Sequence, residues 1–593
     1  MRWAQGQMTP IGGHKQLAYT FASRCRAIHG WFDLSGTYRI AYLCEANLYV
    51  DTGGNLTEIT PSSGLVAPVP TTTGGYGDGL YGQGSQLPAA GTWTTASTTI
   101  TMSGNPGAAP AGLDVYDVTA AKDIGKVSTY VSTSLVLQAA ALAASSSSTD
   151  MMNFGAYGEP RPLTTTVAID RMPPCYSLDN FGSVLYAMTS ADGRLLKWDP
   201  AVGGLATQEV SNGAGADPGG YAPRGRCFVV TAERFIMVFS TSVDGTTAGG
   251  SQRRFCWCDQ ENPQHWDFST VTSQAGFLDI EPASPIVCAI ATRTGVLFWT
   301  AKKAYRSRFL GLPYVYNYEE LADNCTPWSP ESMATTSSMV LWQSQQGTFS
   351  FDGTSILPVE CMVLPWVLDD IDLLNVRSEA FAAHVENFNE WWWFYPQFGQ
   401  AHPTRAVIYN YKEGWWGQVR MTRSAGITAS YTAHTIMADG TIAFQHEVQS
   451  TLAGGFFYAY ANCDPPFAET FDLNVAQGSR LVTVKQLLPD IEVSGFTDPT
   501  ATANAVSQVG YSLFYRNSRS YGDPELQTPF ATVRSNGYVD LRTTGRDIRL
   551  RFDILSQPQQ PPSGNPPSNL PVTNVPPVTV GAHMIDIVVR GDR

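Results

Sequence analysis

One short unit recurs along this chain and constrains the fold more than any other feature of the sequence. Each copy is a run of large apolar residues, a turn rich in Gly, Asp, Asn or Pro, and the start of a second run, and helical periodicity is almost absent. The copies lie at 47–61, 194–204, 235–245, 295–311, 347–360, 406–419 and 440–450. From 235 onward the copies start 34 to 60 residues apart. A blade of four short strands takes ~40–50 residues, so the repeat predicts an all-β chain built on a β-propeller.

The aromatic segment EWWWFYP supports this prediction. In an extended strand Trp391, Trp393 and Tyr395 would point to one face, and Trp392 and Phe394 to the other. Propeller blades pack radially, so each sheet is covered on both faces and its strands are apolar on both. We therefore expect this segment to lie between two sheets and not on an open platform for a ligand.

A second aromatic segment, RAVIYNYKEGWWGQV, fits the same scheme. Val407, Tyr409 and Tyr411 would form one face of a strand, followed by a Lys-Glu-Gly turn. Trp415 and Trp416 would then begin the next strand. We expect the two tryptophans to fill space between blades.

Shifts in composition divide the chain into four parts. They are an N-terminal segment with the first propeller or platform strands (1–70), a Gly-rich connection and a small β insertion (71–175), propeller blades (176–461), and a C-terminal β platform (462–593). Within the second part we read 71–90 as the connection and 91–150 as four small strands. Platform strands are expected at 480–487, 509–516, 546–555 and 583–590, and the N-terminal segment would join them. A Pro-rich loop at 556–580 should not supply a central strand, since proline lacks the N–H that pairing requires.

The charge content limits the possible functions. Charged residues make up 15% of the 593 residues, against about 25% in a typical soluble domain. Such a surface suits large subunit interfaces, whose centres are depleted of charge. The net charge is −14 and no basic run occurs, which argues against sequence-specific DNA binding. An acidic wall past which DNA slides is compatible with this composition, because phosphate contacts by Lys and Arg supply most non-specific affinity.

Neither a targeting segment nor a disulfide framework is expected. The N-terminus has no apolar core of signal-peptide length, and the most apolar run, 134–144, is shorter than the ~20 residues of a membrane helix. The ten cysteines are scattered through apolar segments, which predicts reduced, buried thiols.

The candidate chemical motifs are weak. Gly77–Gly82 matches a dinucleotide-binding pattern but neither follows a strand nor opens a helix. His446-Glu447 would face opposite sides of a strand, and Asp369–Asp372 lacks the ligand spacing of a calcium loop, which favours a solvated turn. Glu386 and Glu390 beside aromatic residues allow a glycosidase pair of unknown separation. Asn55 begins a glycosylation sequon only if the chain is secreted. We predict no catalytic residue, no cofactor and no metal site.

Several segments resemble one protein family, in order along nearly the whole chain. They are RWAQGQMTPIGGHKQL (2–17), YRIAYLCEANLYVDTGGNLTEITP (38–61), LDNFGSVLYAMTSADGRLLKWDP (178–200), RRFCWCDQENPQHWDF (253–268), VLFWTAKKAYRSRFLGLPYVYNYEEL (296–321), VLWQSQQGTFSFDGTSILPVECMV (340–363), AVIYNYKEGWW (406–416), GRDIRLRFDI (545–554) and HMIDIVVRGDR (583–593). Together they resemble the tail nozzle proteins of short-tailed bacteriophages, also called packaged-DNA stabilisation or tail tubular proteins. The Pro-rich loop and the Thr/Ser-rich insertion depart from that pattern.

The resemblance implies a non-enzymatic virion protein. It would form a hexameric ring below the portal and adaptor, extend the DNA channel, retain packaged DNA and pass it during ejection. Its partners would be copies of itself, the tail adaptor ring, neighbouring fibre, spike or needle proteins, and genomic DNA in the lumen without sequence-specific contacts. The protein would belong to the phage tail and assemble in the host cytoplasm. Six copies at −14 carry −84, which would repel DNA.

Two other classes stay open from the residues alone. One is a receptor- or glycan-binding propeller of a virion, with Trp328, Trp415 and Trp416 as stacking residues. The other is a propeller enzyme that cleaves polysaccharide, with Glu386 in the catalytic pair.

Overall fold

The computed structural model describes the greater part of the chain. The ranges are 2–4, 7–9, 11, 14–66, 85–94, 97–102, 114–117, 122–131, 134–139, 150–154, 172–211, 220–241, 251–269, 272–281, 284–336, 339–427, 435–446, 457–459, 467–470, 481–493, 509–516, 525–534, 536–554, 557–558, 573–575, 578–580 and 583–589. The chain divides into two compact units, a larger one of residues 1–68 and 173–593 and a smaller one of residues 69–172.

Within these ranges, seven of the four-stranded antiparallel sheets of the larger unit are arranged in a ring, and we number them as blades 1 to 7. Blade 1 comprises Cys25–Phe32, Tyr38–Cys44, Leu48–Thr52 and Asn55–Glu58; blade 2, Tyr176–Phe181, Val184–Thr189, Leu196–Trp198 and Thr207–Gln208; blade 3, Cys227–Val230, Ile236–Phe239, Arg254–Trp257 and Gly276–Asp279; blade 4, Ile286–Thr292, Gly295–Thr300, Lys303–Gly311 and Val315–Asp323; blade 5, Met333–Thr335, Val340–Ser344, Gly347–Phe351 and Ile356–Val359; blade 6, Phe381–Val385, Glu390–Pro396, Pro403–Asn410 and Trp415–Arg420; and blade 7, Ala425–Gly426, Ile436–Asp439, Ile442–His446 and His14–Thr20.

The blades form a closed ring. The first strands of successive blades lie side by side around most of the ring, and that of blade 7 meets that of blade 1, where Ile28 and Ile427 form a parallel bridge. Blades 4 and 5 pack through a shared core in which the rings of Trp299 and Trp342 lie 5.1 Å apart. The protein is therefore a seven-bladed β-propeller, as the repeat predicted in kind.

A strand from the N-terminal segment closes the ring. His14–Thr20 pairs with Ile442–His446 and supplies the outermost strand of blade 7. This pairing joins residues more than 400 positions apart, so opening the ring requires the outer strand of a blade to be removed. Closure in this way ties the N-terminal segment to the last blade of the ring.

The repeat copies occupy seven different blades but different strands within them. The copy at 47–61 covers the third and fourth strands of blade 1, whereas the copy at 235–245 covers the second strand of blade 3. The copies are unevenly spaced because they lie on different strands of their blades. The motif is typical of any strand and turn that pack between two sheets.

The strand Glu390–Pro396 confirms the prediction of two covered faces. Every residue in it is buried. Trp391, Trp393 and Tyr395 belong to the core shared with blade 5, while Trp392 and Phe394 belong to the core shared with blade 7. Aromatic side chains on both faces thus join three successive blades.

The unit 69–172 holds a closed barrel. Its strands are Ser85–Thr92, Thr99–Met102, Asp114–Asp117, Lys122–Val131, Ser134–Leu137 and Asp150–Phe154. Ile100, Ile124 and Leu135 are fully buried. The prediction of an insertion with four strands was too small, because Ser85–Thr92 and Asp150–Phe154 add a fifth and a sixth barrel strand at its two ends. The first of them begins inside the segment interpreted as a Gly-rich connection. Ser85–Thr92 pairs with Thr99–Met102 and also with Asp150–Phe154, and the second pairing is long-range and leaves no local signal.

A β-rich platform follows the propeller. One sheet contains Phe467–Glu469, Asp547–Ile554, Val509–Arg516, Leu526–Gln527 and Ala531–Thr532, and a second contains Val539–Gly545, Val482–Leu488 and Met584–Val589. Val482, Tyr511 and Phe552 share one core between them. The four expected platform strands are confirmed to within two residues at each end.

N- and C-terminal segments meet in a further sheet, in the order Arg2–Ala4, Gln7–Thr9, Val578–Val580 and Ile491–Val493. A three-stranded sheet has the order Phe457–Ala459, Thr573–Val575 and Gln557–Pro558. Two pieces of the Pro-rich loop therefore lie in central strands, contrary to prediction. Neither piece contains a proline, so every N–H in them can pair, and Pro558 lies on an edge strand.

Helices are short and few in the described ranges. Helix α1 spans Leu364–Asp370, helix α2 spans Val376–Glu379, and Glu386–Phe388 forms a 3₁₀ turn. Both α-helices lie in the connection between blades 5 and 6. Among the described residues, no helix is long and apolar enough to cross a membrane.

Candidate functional site at the mouth of the central channel

The carboxylates considered as a glycosidase pair have different environments. Glu390 is fully buried, and its carboxylate accepts hydrogen bonds from Arg2 Nη2 at 2.8 Å and from Trp392 Nε1 at 2.9 Å. Glu386 is exposed in the 3₁₀ turn. The Glu390 carboxylate is thus held by an ion pair and an indole, which fixes blade 6 and leaves it poorly placed to act as an acid or nucleophile.

The acidic segment Asp369–Asp372 is structural in two of its three carboxylates. Arg405 Nε lies 2.8 Å from Asp370 Oδ2. Asp372 is buried and accepts backbone N–H groups from Leu374 at 2.9 Å and Gly399 at 3.0 Å. The prediction of a solvated turn is wrong, because Asp369 is exposed but lies with Asp370 in helix α1. The side chains of Asp370 and Asp372 fold back onto donors that the sequence does not place nearby. Within the described ranges, no cluster of His, Cys, Asp or Glu has the geometry to hold a metal ion.

The remaining motif residues are mostly covered. His446 is buried against His14, with ring centroids 4.4 Å apart, and against Trp392 at 4.9 Å. Asn55 is exposed on the outer strand of blade 1. Glu447 and the Gly77–Gly82 motif lie outside the described residues.

The described cysteines are free thiols, as predicted, and all but Cys361 are buried. Burial raises the pKa of Cys256 and of Cys258 to about 12, so both remain protonated. Cys463 lies outside the described residues.

The three tryptophans considered for stacking a glycan have protein partners. Trp328 is buried in the core between blades 5 and 6. Trp416 lies on Tyr409 with centroids 4.4 Å apart and donates its Nε1–H to the Glu360 carbonyl at 2.9 Å. Trp415 is partly buried and packs against the core between blades 6 and 7. The expectation that this pair packs between blades is confirmed.

The first strands of the blades surround the central channel of the propeller. A cavity lies at the end of this channel where several of the first strands begin. These strands run side by side, so residues near their starts meet at the same end. The cavity has a volume of ≈ 120 Å³, and its lining includes Arg26, His29, Tyr176, Glu331, Met333 and Phe381. Sequence motifs did not point to these residues, because they come from four different blades that are far apart in the sequence.

Arg26 is the buried cation of this mouth. Its Nη1 donates to Glu379 Oε1 at 2.8 Å, and Arg24 Nη2 lies 3.0 Å from Glu379 Oε2. His402 Nδ1 lies 3.1 Å from the same oxygen, Glu379 Oε2. Glu379 is the last residue of α2, so this network ties α2 to the start of blade 1.

Glu331 precedes the first strand of blade 5 and is the second charged group of the lining. One carboxylate oxygen accepts the backbone N–H of Tyr176 at 2.8 Å. Burial raises the pKa of Glu331 to about 7, although the Tyr176 N–H, Arg26 and the Cys175 thiol each act to lower it. A carboxyl group with this pKa changes charge near neutral pH.

Two more polar groups border the cavity. Tyr176 is 4% exposed, and its hydroxyl has no hydrogen-bond partner among the described residues. His29 Nε2 lies 2.9 Å from Asn180 Oδ1, so this ring is held by blade 2. The mouth therefore combines one paired cation, a carboxyl group and an unsatisfied hydroxyl.

No family model matches the chain, and no curated protein sequence matches it either. Among solved structures, it is similar to the catalytically inactive virginiamycin B lyase from Staphylococcus aureus with quinupristin, at 9% identity and a TM-score of 0.28, over 49% of this chain and 89% of that one. It is also similar to a streptogramin B lyase, at 9% identity and a TM-score of 0.24, over 75% of this chain and 100% of that one. It is similar as well to the extracellular domain of a one-component system from B. thetaiotaomicron, at 8% identity and a TM-score of 0.29, over 91% of this chain and 75% of that one. With likenesses this low, the propeller assignment rests on the strand pairing itself.

Proposed function

We propose that the protein is a structural component of a bacteriophage tail that forms a nozzle ring, extends the DNA channel below the portal and adaptor, retains packaged DNA and passes it during ejection. The observation that carries the proposal is the ordered set of segments, from residues 2–17 to 583–593, that resembles tail nozzle proteins. In this role the chain is not an enzyme, and it resides in the virion after assembly in the host cytoplasm.

The geometry of the channel mouth bears on where DNA would run. Buried side chains of Arg26, Tyr176 and Phe381 occupy this end of the propeller channel. Duplex DNA is wider than its major groove, which alone measures about 12 Å, so we infer that it does not run through a channel whose mouth holds these buried side chains. In the proposed nozzle each propeller is therefore part of a wall, and the lumen is enclosed by several copies of the chain.

Charge supports the same role. A chain of net charge −14 gives a ring a strongly negative total, which disfavours adhesion of DNA phosphates to the lumen. The proposed contacts of the ring are the tail adaptor above it and fibre, spike or needle proteins nearby.

The test is the position and symmetry of the chain in its native particle, read by cryo-electron microscopy. We expect a sixfold ring directly below the adaptor, and purified protein that forms this ring only on an adaptor or tail complex. A different location, such as the tip of a fibre, would contradict the proposal.

A gel-shift titration with duplex DNA at moderate salt tests the low-friction wall separately. We expect no tight complex, and micromolar or better affinity would rule out this part of the proposal. The glycan-binding alternative has less support, because Trp328 is buried and Trp416 is already stacked on Tyr409.

A further inference from the structure

The cavity at the channel mouth is large enough for a small organic ligand. A single water needs about 10–15 Å³ of such space, and an engineered cavity of about 150 Å³ binds benzene. The ≈ 120 Å³ at the mouth therefore exceeds the need of one or two waters. Its wall is mixed, with Met333 and Phe381 as apolar surfaces and Tyr176 and Glu331 as polar ones.

The charges around the cavity are unevenly satisfied. The guanidinium of Arg26 is paired with Glu379, and that of Arg226, near Cys175, donates from Nε to the Val287 carbonyl at 2.8 Å and from Nη2 to the Pro173 carbonyl. Glu331 forms no ion pair within 4.0 Å among the described residues, and Cys175 beside it is a protonated thiol. A carboxylate removed from water without a cation is costly, and a bound cation or a proton relieves that cost.

Tyr176 also lines this cavity, and its hydroxyl is an unsatisfied polar group. It is buried and lacks a partner, and a phenol oxygen can accept a hydrogen bond. A ligand that donates two hydrogen bonds from one positive centre would satisfy Glu331 and Tyr176 together. An ammonium group has three donors and no acceptor, which matches this pair.

We propose that the mouth of the propeller channel binds a small primary ammonium ion, which donates to the Glu331 carboxylate and the Tyr176 hydroxyl and lays its alkyl group against Met333 and Phe381. This site is separate from the proposed lumen between copies and does not depend on the tail role. It would make the mouth a ligand site of each propeller.

Binding should depend on pH through Glu331. The groups that face it are Arg26 of blade 1 and, from blade 2, the Tyr176 N–H and the Cys175 thiol. A pKa of about 7 leaves the carboxyl mostly protonated at pH 6 and mostly ionised at pH 8, whereas a primary ammonium keeps its charge over this range. The affinity is therefore expected to rise about tenfold from pH 6 to pH 8.

The experiment uses the purified full chain and ¹³C-methylammonium, followed by NMR as a function of concentration at pH 6 and pH 8. We expect saturable binding at pH 8, at least tenfold weaker in Glu331→Gln and about fivefold weaker in Tyr176→Phe. Glu261→Gln is the matched control, because it removes the same charge from an exposed pair with Arg234 and should bind as the wild type does.

Two further probes separate the ammonium chemistry from charge alone. Tetramethylammonium has no N–H donor and should bind at least tenfold more weakly, and potassium should compete poorly. Equal binding of either, unchanged affinity in Glu331→Gln, or no saturation by methylammonium at pH 8 would overturn the proposal. Circular dichroism checks that each variant is folded, and the pH profile of the wild type tests the site if a variant is not.

Discussion

The guanidinium of Arg2 and the carboxylate of Glu390 form a buried ion pair across 388 positions of the sequence, with Arg2 Nη2 and Glu390 Oε2 2.8 Å apart. The side chains are 5% and 0% exposed. Arg2 also lies 3.4 Å from the centroid of the Phe388 ring. The pair joins the sheet that contains both terminal segments to the second strand of blade 6.

Removing one partner of this pair should be strongly destabilising. Arg2→Ala leaves the Glu390 carboxylate buried without its cation, and we expect a loss of about 3–5 kcal/mol in the free energy of unfolding. Urea denaturation measures it. Arg234→Ala breaks an exposed pair with Glu261 and should cost less than about 1 kcal/mol. Equal losses in the two variants would show that the buried pair contributes no more to the free energy of unfolding than the exposed pair does.

The aromatic strand of blade 6 provides a second test. Trp392 is fully buried between blades 6 and 7, so Trp392→Ala should cost about 3–5 kcal/mol by leaving a cavity. Trp416 is only partly buried and stacks on Tyr409, so Trp416→Ala should cost about 1 kcal/mol. The two variants are compared by urea denaturation, and a smaller loss at Trp392 would contradict the assignment of the strand to the interior.

Two glycines with positive φ should respond differently to alanine. Gly295 has φ 134°, and a Cβ there would collide with the Ser307 carbonyl of the paired strand. We expect Gly295→Ala to cost about 3 kcal/mol or more, from backbone strain and the clash together. Gly414 has φ 76° and open space around it, so Gly414→Ala should cost only about 1 kcal/mol. Thermal unfolding of both variants measures the two losses of stability. Equal losses would show that the strand containing Ser307 can move away from a Cβ at position 295.

Glu331 should make stability fall as pH rises. Its pKa is raised to about 7 in the folded protein, against 4.5 in the unfolded chain, so the folded state binds the extra proton between these values. The contribution is fully present below pH 4.5 and is lost as pH passes 7, by about 3 kcal/mol at most. Glu331→Gln should remove this dependence and gain stability relative to the wild type at pH 8. The difference in unfolding free energy between the two proteins, measured from pH 4 to pH 8, checks this, and a constant difference would disprove it.

His14 should have the opposite pH dependence. Burial lowers its pKa well below 6.5, and His446 and Arg423 lower it further, so the folded state keeps the ring neutral. The unfolded chain takes up a proton as pH falls below 6.5, and stability is lost there. Because His14 lies on the strand that closes blade 7, we expect melting temperature to fall from pH 7 to pH 5 and His14→Gln to flatten that slope. An unchanged slope would place the acid sensitivity elsewhere.

The sequence by itself determined the class of fold and the packing of individual strands. Trp391 and Trp392 alternate faces within a segment that is apolar on both sides, and alternation with period two is a property of the backbone that needs no tertiary information. The same local rule located the strand Trp415–Arg420 and the platform strand Val509–Arg516.

Only the tertiary structure decided which strands are neighbours and which side chains meet. His14–Thr20 completes a blade whose other strands begin at Ala425, and Thr573–Val575 pairs centrally within a Pro-rich segment. Arg26, Tyr176 and Glu331 meet at the channel mouth because three blades begin there, although long stretches of sequence separate them. Period and composition act over a few residues, whereas strand order, ring closure and the burial of a carboxyl group depend on contacts between residues hundreds of positions apart.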